Sequence, residues 1–377
     1  PGSFAELGGE AIFSTADVPY RIRRYSDMLE DWSNTIEFDR EKHQAIEKAG
    51  ARIGTDSRLH RDGEGKVAHV TMTEKLLVLL LAKLTNLVPD GGIWMNTQRP
   101  EWNDANNALV GKGLSVVTVA YLHRFVSFWR ERIAEAGGDT VELTPAVAAL
   151  LERALEVLER FSRHLNTGFD DRQRRSFMDE MGAAASSYRS RAYREGFPAE
   201  RREVSRDQLR KLLDRTAAYT EQTLRHNRRS DGLYHSYNIL LLRDDRALVG
   251  ELYLMLEGQV AVLSAGLLSP EEALDLLRGL RAGPLYREDQ HSYMLYPYRS
   301  LPGFRVKNTL PRDRAGSSAL LSALVAAGDR RLVVQDAGGE LHFAGQIHNA
   351  RSLGSVLDEL EQDPAYAKLV ARDRGTV

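Results

Sequence analysis

The chain has 377 residues, 42% of them hydrophobic, which is enough to bury a large core in one big domain or in two ordinary ones. Its 53 acidic and 51 basic residues nearly cancel, so no global field favours nucleic acid or an anionic membrane as a partner. The absence of cysteine excludes disulfides and thiolate metal sites and fits a reducing compartment, so we expect a cytoplasmic protein without a bound metal.

Two short segments bear on targeting and on membrane insertion. The first residues, Pro1 to Phe4, resemble the remnant of a cleaved expression tag, and we exclude residues 1–4 from the fold. The longest apolar run, 76–82, is too short to span a bilayer. We therefore expect no membrane partner.

Capping signals mark four helix starts along the chain. We predict helices at 75–88, 145–165 and 205–226 and a fourth from 270, preceded in turn by Thr71 with Glu74, Thr144 with Pro145, Ser205 with Gln208, and Ser269 with Glu272. Thr71 and Glu74 have the spacing of a capping box. Three further segments, 105–136, 171–194 and 246–265, have helical spacing of apolar residues and few breakers.

So many helices with almost no alternating runs predict an all-α body. The exception lies late, where 331–335 and 340–344 flank Asp336-Ala337-Gly338-Gly339 and predict a β-hairpin, followed by a helix over 353–361. A solenoid would show a fixed period, whereas these helices vary in length and are joined by long loops rich in aromatic and polar residues. That combination favours a helical toroid whose loops gather at one end.

The loop from Gly91 to Asn107 is the most unusual segment. Within seventeen residues it holds two Trp, four Asn, one Gln, one Arg and two carboxylates. Indole faces stack on sugar rings, amides and Arg bind hydroxyls, and a carboxyl group beside an indole has the raised pKa of a general acid. Asp104 and Glu101 are the candidate acids. Alternatively, Glu101 or Asp104 caps a helix from about residue 105 and Trp102 packs in the core.

The triplet Trp102-Asn103-Asp104, followed by Ala105-Asn106-Asn107, resembles the Trp-Asn-Asp-Gly-Met-Asn motif of the glycoside phosphorylases related to cellobiose phosphorylase and to cyclic β-1,2-glucan synthases. The resemblance implies an (α/α)6 toroid, complete or incomplete. It also implies that Asp104 is the general acid and that Trp102 and Asn103 shape the sugar subsite.

Two departures from that family keep the nucleophile open. Ala105 stands where the motif has Gly, and the His-rich phosphate-binding stretch of the phosphorylases has no counterpart downstream. We therefore expect either inorganic phosphate, as a co-substrate, or water to attack the sugar. The resemblance covers about residues 20–310, and only the triplet region is specific.

A second polar and aromatic cluster lies at 286–299. If water attacks, Glu288 or Asp289 is the candidate base, on the opposite side of the sugar from the acid. If phosphate attacks, the donors Arg287, His291 and Arg299 are the better candidates, because a carboxylate repels phosphate. The alternative is that Glu288 and Asp289 are surface residues paired with nearby Arg.

A third loop, 231–238, leads into the apolar run 239–242. His235 in this loop either donates to a sugar hydroxyl or is satisfied within the core. The full set of predicted substrate-binding residues is Trp94, Arg99, Trp102, Asn103, Asn106, Asn107, His235, Tyr237, Arg287, Gln290, His291 and Tyr293.

These observations predict an enzyme that cleaves or transfers β-linked glucosides with inversion, without an organic cofactor, on an oligosaccharide substrate. We expect a catalytic toroid over 5–310 and a small α/β segment over 311–377, with further domains or a second chain completing an incomplete toroid. Two alternatives remain open. The first is a non-catalytic carbohydrate-binding or assembly domain of the same fold, and the second is a structural helical scaffold without a ligand.

Overall fold

The structure, a computed structural model, describes residues 10–97, 109, 111–135, 138–196, 198, 200–298, 300 and 302–375. The chain divides into two compact units, Pro1–Pro297 and Tyr298–Val377. Each unit has its own cluster of buried apolar side chains. Among the helices that the structure describes, none is long and apolar enough to cross a bilayer.

Helices form most of the first unit. They are α1 (Tyr25–Glu30), α2 (Arg40–Ile53), α3 (Met72–Leu84), α4 (Val116–Glu135), α5 (Pro145–Phe161), α6 (Asp171–Glu195), α7 (Arg206–His226), α8 (Leu256–Ser264) and α9 (Pro270–Ala282). Helix α4 packs against α7 and α8, and α5 packs against α6 and α7. In the core between them, Trp129 on α4 is fully buried, and the rings of Phe177 and Tyr219 stack with their centroids 5.4 Å apart.

The strands of the first unit are β1 (Ala11–Ser14), β2 (Tyr20–Ile22), β3 (Ile36–Phe38), β4 (His69–Thr71), β5 (Leu87–Val88), β6 (Gly92–Trp94), β7 (Gly113–Ser115), β8 (Thr140–Leu143), β9 (Arg202–Ser205), β10 (Tyr237–Arg243), β11 (Arg246–Glu251), β12 (Tyr286–Arg287) and β13 (Ser292–Tyr293). Five of them form an antiparallel sheet in the order β5-β6-β7-β10-β11. The others pair two by two, as β1 with β4, β2 with β3, β8 with β9 and β12 with β13.

This sheet shows that the predicted all-α (α/α)6 toroid is wrong as a fold class. Of the residues that the structure describes, 54% are helical and 17% are in strands, and the five-stranded sheet curls. Part of the error lies at 246–265, which was predicted to be one helix. In the structure, 246–251 is strand β11, and the helix begins only at Leu256. Asp244, with φ of 48°, closes a tight turn that pairs Arg243 with Arg246, and this turn converts the segment into a hairpin.

The same sheet shortens a second predicted helix, because 113–115 forms strand β7 and α4 begins at Val116. The four capped helix starts are confirmed: α3, α5, α7 and α9 follow Thr71, Thr144, Ser205 and Ser269. The long polar helix predicted over 171–194 is also confirmed, as α6. The helix predicted over 75–88 also ends early, at Leu84, because Leu87 and Val88 form strand β5. The helix starts were thus predicted correctly, whereas apolar spacing alone overextended three helices.

The second unit contains α10 (Phe304–Asn308), α11 (Arg312–Ser317), α12 (Ala319–Ala327), β14 (Val333–Gln335), β15 (Leu341–Phe343), α13 (Ala350–Gln362) and α14 (Ala367–Asp373). The predicted hairpin is confirmed, since β14 and β15 pair antiparallel with Val334 opposite His342. The predicted helix after it is confirmed as α13. Buried side chains of α12, α13 and α14, among them Leu324, Leu360 and Val370, form this unit's core.

Candidate functional site

The loop that carries the predicted acid connects two neighbouring strands of the five-stranded sheet, β6 and β7. The structure describes both ends of this loop and Leu109 within it. Seven predicted site residues lie outside the described residues: Arg99, Glu101, Trp102, Asn103, Asp104, Asn106 and Asn107. Arg299, the third candidate for binding phosphate, also lies outside them.

Hydrogen bonds hold the two ends of this loop together. Met95 N donates to Gly113 O over 2.9 Å, and Gly111 N donates to Met95 O over 2.7 Å. The indole Nε1 of Trp94 donates to Gly111 O over 2.9 Å. The two ends of the loop are therefore joined to each other where they leave the sheet.

Trp94 was predicted to bind sugar, and the structure places it in the core. Only 3% of its surface is exposed, and its ring meets that of Tyr25 edge-on, with the centroids 6.1 Å apart. Its indole N–H is already used at the base of the loop. In this position Trp94 anchors the loop and offers no ring face to solvent.

Leu109, near the end of the loop, packs against the sheet. It is 7% exposed and shares an apolar cluster with Tyr237 of β10 and Met255, which precedes α8. Ile239 packs on the same cluster and lies on the same face of β10 as Tyr237. This face of the sheet is thus the surface to which the described part of the loop is attached.

Tyr237, a predicted site residue, is paired with a carboxylate. Its hydroxyl donates to Oε2 of Glu257 over 2.5 Å, and Glu257 lies in the first turn of α8. Tyr237 is 4% exposed, whereas Glu257 is half-buried. The sequence analysis did not single out Glu257, because it lies inside a segment that was predicted to be one continuous helix. An acidic residue next to Gly258 was the signal that a helix starts there.

The segment Tyr234 to Tyr237 is docked tightly on the start of α8. Gln259 accepts from Tyr234 N over 2.8 Å, and its Nε2 donates to Tyr234 O over 2.6 Å. Gly258 N donates to Oγ of Ser236 over 2.7 Å. A Cβ on Gly258 would lie 2.6 Å from that oxygen, so the close approach requires glycine here.

His235 is the second predicted site residue in this segment, and its ring nitrogens have partners within the protein. It is 6% exposed, its Nδ1 lies 3.1 Å from Leu252 O, and its Nε2 lies 3.4 Å from Oε2 of Glu251. Glu251 is largely exposed, so its carboxylate contacts the buried His235 ring from the protein surface. The ring nitrogens thus have protein partners in this structure.

The predicted cluster at 286–299 contains the hairpin β12–β13. Arg287 donates to both oxygens of Asp289, over 2.9 Å from Nε and 2.5 Å from Nη2. Hydrogen bonding from Arg287 holds the pKa of the Asp289 carboxyl below its usual range. Asp289 is therefore ionised at neutral pH, and its basicity is low. Glu288 precedes it in a short 3₁₀ turn, Glu288–Gln290.

The rest of this hairpin presents aromatic rings and donors. The Tyr286 hydroxyl lies 3.2 Å from Nδ1 of His291, and the Arg281 guanidinium lies 3.7 Å from the centre of the Tyr286 ring. The Tyr286 and Tyr293 rings are 5.3 Å apart, and Tyr293 is 41% exposed. Gln290 accepts from the Ser292 hydroxyl over 3.4 Å. The hairpin thus brings Arg287, Gln290, His291 and Tyr293 into one short surface segment.

One backbone hydrogen bond connects this hairpin to the Tyr237–Glu257 pair. Leu256 N, the first residue of α8, donates to Leu295 O over 2.8 Å. The start of α8 therefore contacts two of the three predicted site segments, 231–238 and 286–296, and Met255 beside it packs on Leu109 of the third. We call this region, defined by Tyr237, Met255, Glu257, Leu109 and Leu295, the α8 junction.

A buried polar network fixes the turn ahead of β6. Asp90 is 2% exposed and accepts from Nη2 of Arg174 over 3.2 Å, and its other oxygen accepts from Gln222. Asn227 donates to Asp90 O and accepts from Nδ2 of Asn238, each over less than 3 Å. This network joins the turn between β5 and β6 to α6 and α7.

No group of three or more His, Asp or Glu side chains that could hold a metal ion occurs within the described ranges. The titratable groups of the α8 junction are the Glu257 carboxylate and the Tyr237 phenol, which are hydrogen-bonded to each other. Exposed aromatic side chains of the neighbouring hairpin, among them Tyr293, are suited to hydroxyl-rich ligands.

The family model described as GH149 phosphorylase insertion domain 2 matches residues 301–377. No curated protein is similar enough to the chain to count as a match. The family match falls in the second unit and not in the α8 junction. The finer resemblance to the cellobiose phosphorylase type rests on the Trp102-Asn103-Asp104 motif alone. The match thus shows that residues 301–377 are similar to an insertion domain of GH149 phosphorylases.

Proposed function

We propose that this protein cleaves β-linked glucosides by phosphorolysis with inversion, using Asp104 as the general acid. The observation that carries the proposal is the arrangement of the residues on either side of 98–108. Met95 is hydrogen-bonded to Gly111 and Gly113 on the five-stranded sheet, and Leu109 packs on Tyr237 at the α8 junction. The sequence that contains Asp104 therefore leaves and re-enters the sheet at neighbouring points beside that junction.

Phosphate is a better nucleophile for this site than water. Asp289, one of the two candidate bases for activating water, is bound by Arg287, which lowers the pKa of its carboxyl and weakens it as a base. Donor groups, in contrast, are concentrated on the same hairpin at Arg287, Gln290 and His291. The relation of the second unit to a phosphorylase insertion domain favours the same choice.

The proposed reaction is a single displacement. A phosphate oxygen forms a bond to the anomeric carbon from the face opposite the leaving group, and the bond from that carbon to the glycosidic oxygen breaks. Asp104 gives its proton to the departing oxygen and regains one from the solvent or the phosphate. One displacement inverts the configuration, so a β-linked substrate yields α-glucose 1-phosphate and a shortened saccharide.

The test is release of glucose 1-phosphate from β-linked gluco-oligosaccharides of several linkages, with and without inorganic phosphate. We expect phosphate-dependent release by the intact chain, loss of about a thousandfold or more in Asp104→Asn, and unchanged release in Glu64→Gln. Glu64 is the matched control because its side chain is 75% exposed and pairs with the neighbouring surface residue Lys66.

Other outcomes separate the alternatives. Release of free glucose without phosphate would replace phosphorolysis by hydrolysis. Binding of the oligosaccharides without any turnover, unchanged in Asp104→Asn, would overturn the catalytic proposal and leave a carbohydrate-binding or assembly domain. If the protein neither binds nor cleaves the oligosaccharides, the structural scaffold is the remaining alternative.

A further inference from the structure

Trp32 is an exposed tryptophan that the candidate site does not yet include. The chain has four tryptophans. Trp129 and Trp94 are 0% and 3% exposed, Trp102 lies outside the described residues, and Trp32 is 46% exposed. About half of the Trp32 surface is therefore in contact with water, and its indole is accessible to a ligand.

A tight turn holds Trp32 in place. Asn34 N donates to Asp31 O over 3.2 Å, which closes the turn 31–34. The Asp31 carboxylate accepts from both N and Oγ of Ser33, over 3.0 and 2.6 Å. Thr35, which follows, is fully buried and leads into strand β3. The ring is therefore carried by a backbone segment whose conformation is largely determined before any ligand arrives.

The ring of Trp32 packs against the base of the loop that carries Asp104. A Cβ on Gly111 would lie 2.3 Å from Cε3 of Trp32, and Gly111 has φ of +85°, so only glycine fits there. The next residue, Lys112, has its Nζ 5.7 Å from the centre of a Trp32 ring. Gly111 O also accepts from Trp94, so two indoles flank one glycine at the loop base.

We propose that Trp32 is a stacking platform for a glucosyl ring of the oligosaccharide substrate, with Lys112 as a donor to its hydroxyls. This inference rests on the proposed function, because the ring belongs to the saccharide whose linkage Asp104 would protonate. A β-linked glucosyl unit carries C–H groups on both faces, and an indole held at a fixed orientation offers a large apolar face to them. In this proposal Trp32 has the sugar-stacking role that was predicted for Trp94.

Binding in an inactive background tests this without turnover. In Asp104→Asn, we would titrate β-linked gluco-oligosaccharides from di- to hexasaccharide by calorimetry. We expect Trp32→Ala to weaken binding about tenfold for the longer saccharides and Trp32→Phe to weaken it less, since Phe keeps a smaller aromatic face. Gly111→Ala should weaken binding like Trp32→Ala, because the new methyl group displaces the ring.

Phe128→Ala is the matched control. Phe128 is 55% exposed on α4, and the Arg132 guanidinium lies 5.8 Å from its ring centre, so it reproduces the exposed ring with a neighbouring cation. Binding unchanged in Trp32→Ala, or weakened equally in Phe128→Ala, would overturn the inference.

The catalytic proposal and this one can fail separately. If the intact chain releases no glucose 1-phosphate but Trp32→Ala still weakens saccharide binding, the platform stands and the catalytic proposal falls. If release is phosphate-dependent and Trp32→Ala changes neither KM for the saccharide nor its affinity, the platform falls alone. A rise in KM for the saccharide without a rise in KM for phosphate supports stacking.

Discussion

The hydroxyl of Tyr237 lies 2.5 Å from a carboxylate oxygen of Glu257 and so joins strand β10 of the five-stranded sheet to the start of helix α8. The tyrosine is almost fully buried, and Leu109 of the acid-bearing loop packs beside it. This hydrogen bond thus joins the start of α8 to the sheet, at the place where Leu109 packs on Tyr237.

Tyr237→Phe and Glu257→Gln should each lower the free energy of unfolding by about 2 kcal/mol, because each weakens a hydrogen bond to a charged acceptor. The double variant should be little worse than the more harmful single one, since both changes remove the same contact. Denaturant unfolding of the four proteins measures this coupling. Tyr296→Phe, an exposed tyrosine of the hairpin segment at 53%, serves as the control and should change stability by less than about 0.5 kcal/mol. Additive losses in the double variant would contradict the pairing.

Arg174→Met should destabilise the first unit by about 3–5 kcal/mol, because it leaves the buried Asp90 carboxylate without its charged partner. The side chains of Arg174 and Asp90 are 8% and 1% exposed. Arg172→Met on the same helix removes an ion pair with Asp245 whose side chains are 67% and 62% exposed, and it should cost less than about 1 kcal/mol. Chemical denaturation of both variants checks the contrast. Equal losses would mean that burial does not decide the strength of these pairs.

Glu74 predicts a pH dependence of stability. It is 1% exposed, and burial raises the pKa of its carboxyl above the ordinary value despite the hydrogen bonds from Thr144. A raised folded-state pKa stabilises the fold fully below the unfolded value of about 4.3, and that stabilisation is lost as the pH rises through the folded pKa. The stability of the intact chain relative to Glu74→Gln should therefore fall between about pH 4 and neutral pH. Thermal melts across that range measure it, and a relative stability that rises with pH would contradict the prediction.

Gly258→Ala should destabilise the first unit by about 1–3 kcal/mol, because its methyl group would lie 2.6 Å from Oγ of Ser236. Gly279→Ala is the control, also inside a helix of this unit. Its nearest neighbour would be Leu233 at 3.4 Å, an ordinary contact, so the higher helix propensity of Ala should stabilise it by about 0.5–1 kcal/mol. Unfolding midpoints of the two variants should move in opposite directions. A destabilised Gly279→Ala with a neutral Gly258→Ala would refute the close approach.

Much of the secondary structure follows from local sequence. The side chains of Ser205 and Ser269 cap their helices with Gln208 and Glu272 as predicted, because a capping box involves residues only three apart. The hairpin at β14 and β15 was predictable for the same reason, since its Asp-Ala-Gly-Gly turn is local. The motif at 102–104 was also recognisable in the sequence, and the role predicted for it stays a prediction.

Glu74 shows where local reasoning stops. Thr71 accepts from Glu74 N as a capping residue should, but the Glu74 carboxylate accepts from N and Oγ1 of Thr144, seventy residues away along the chain. The predicted capping box is therefore formed only in part. The Glu74 carboxylate binds Thr144 at the start of another helix, α5, instead of the backbone at the start of its own helix.

The sequence by itself determined which segments begin helices, where the late hairpin turns, and which short motif carries the candidate acid, because each of these depends on residues a few positions apart. Only the tertiary structure decided that 113–115 and 246–251 become strands, that Trp94 is buried while Trp32 is exposed, and that Glu257 meets Tyr237. Those outcomes depend on which distant surfaces exclude water from one another. Pairing between strands and burial of a ring are properties of such contacts, and no local pattern contains them.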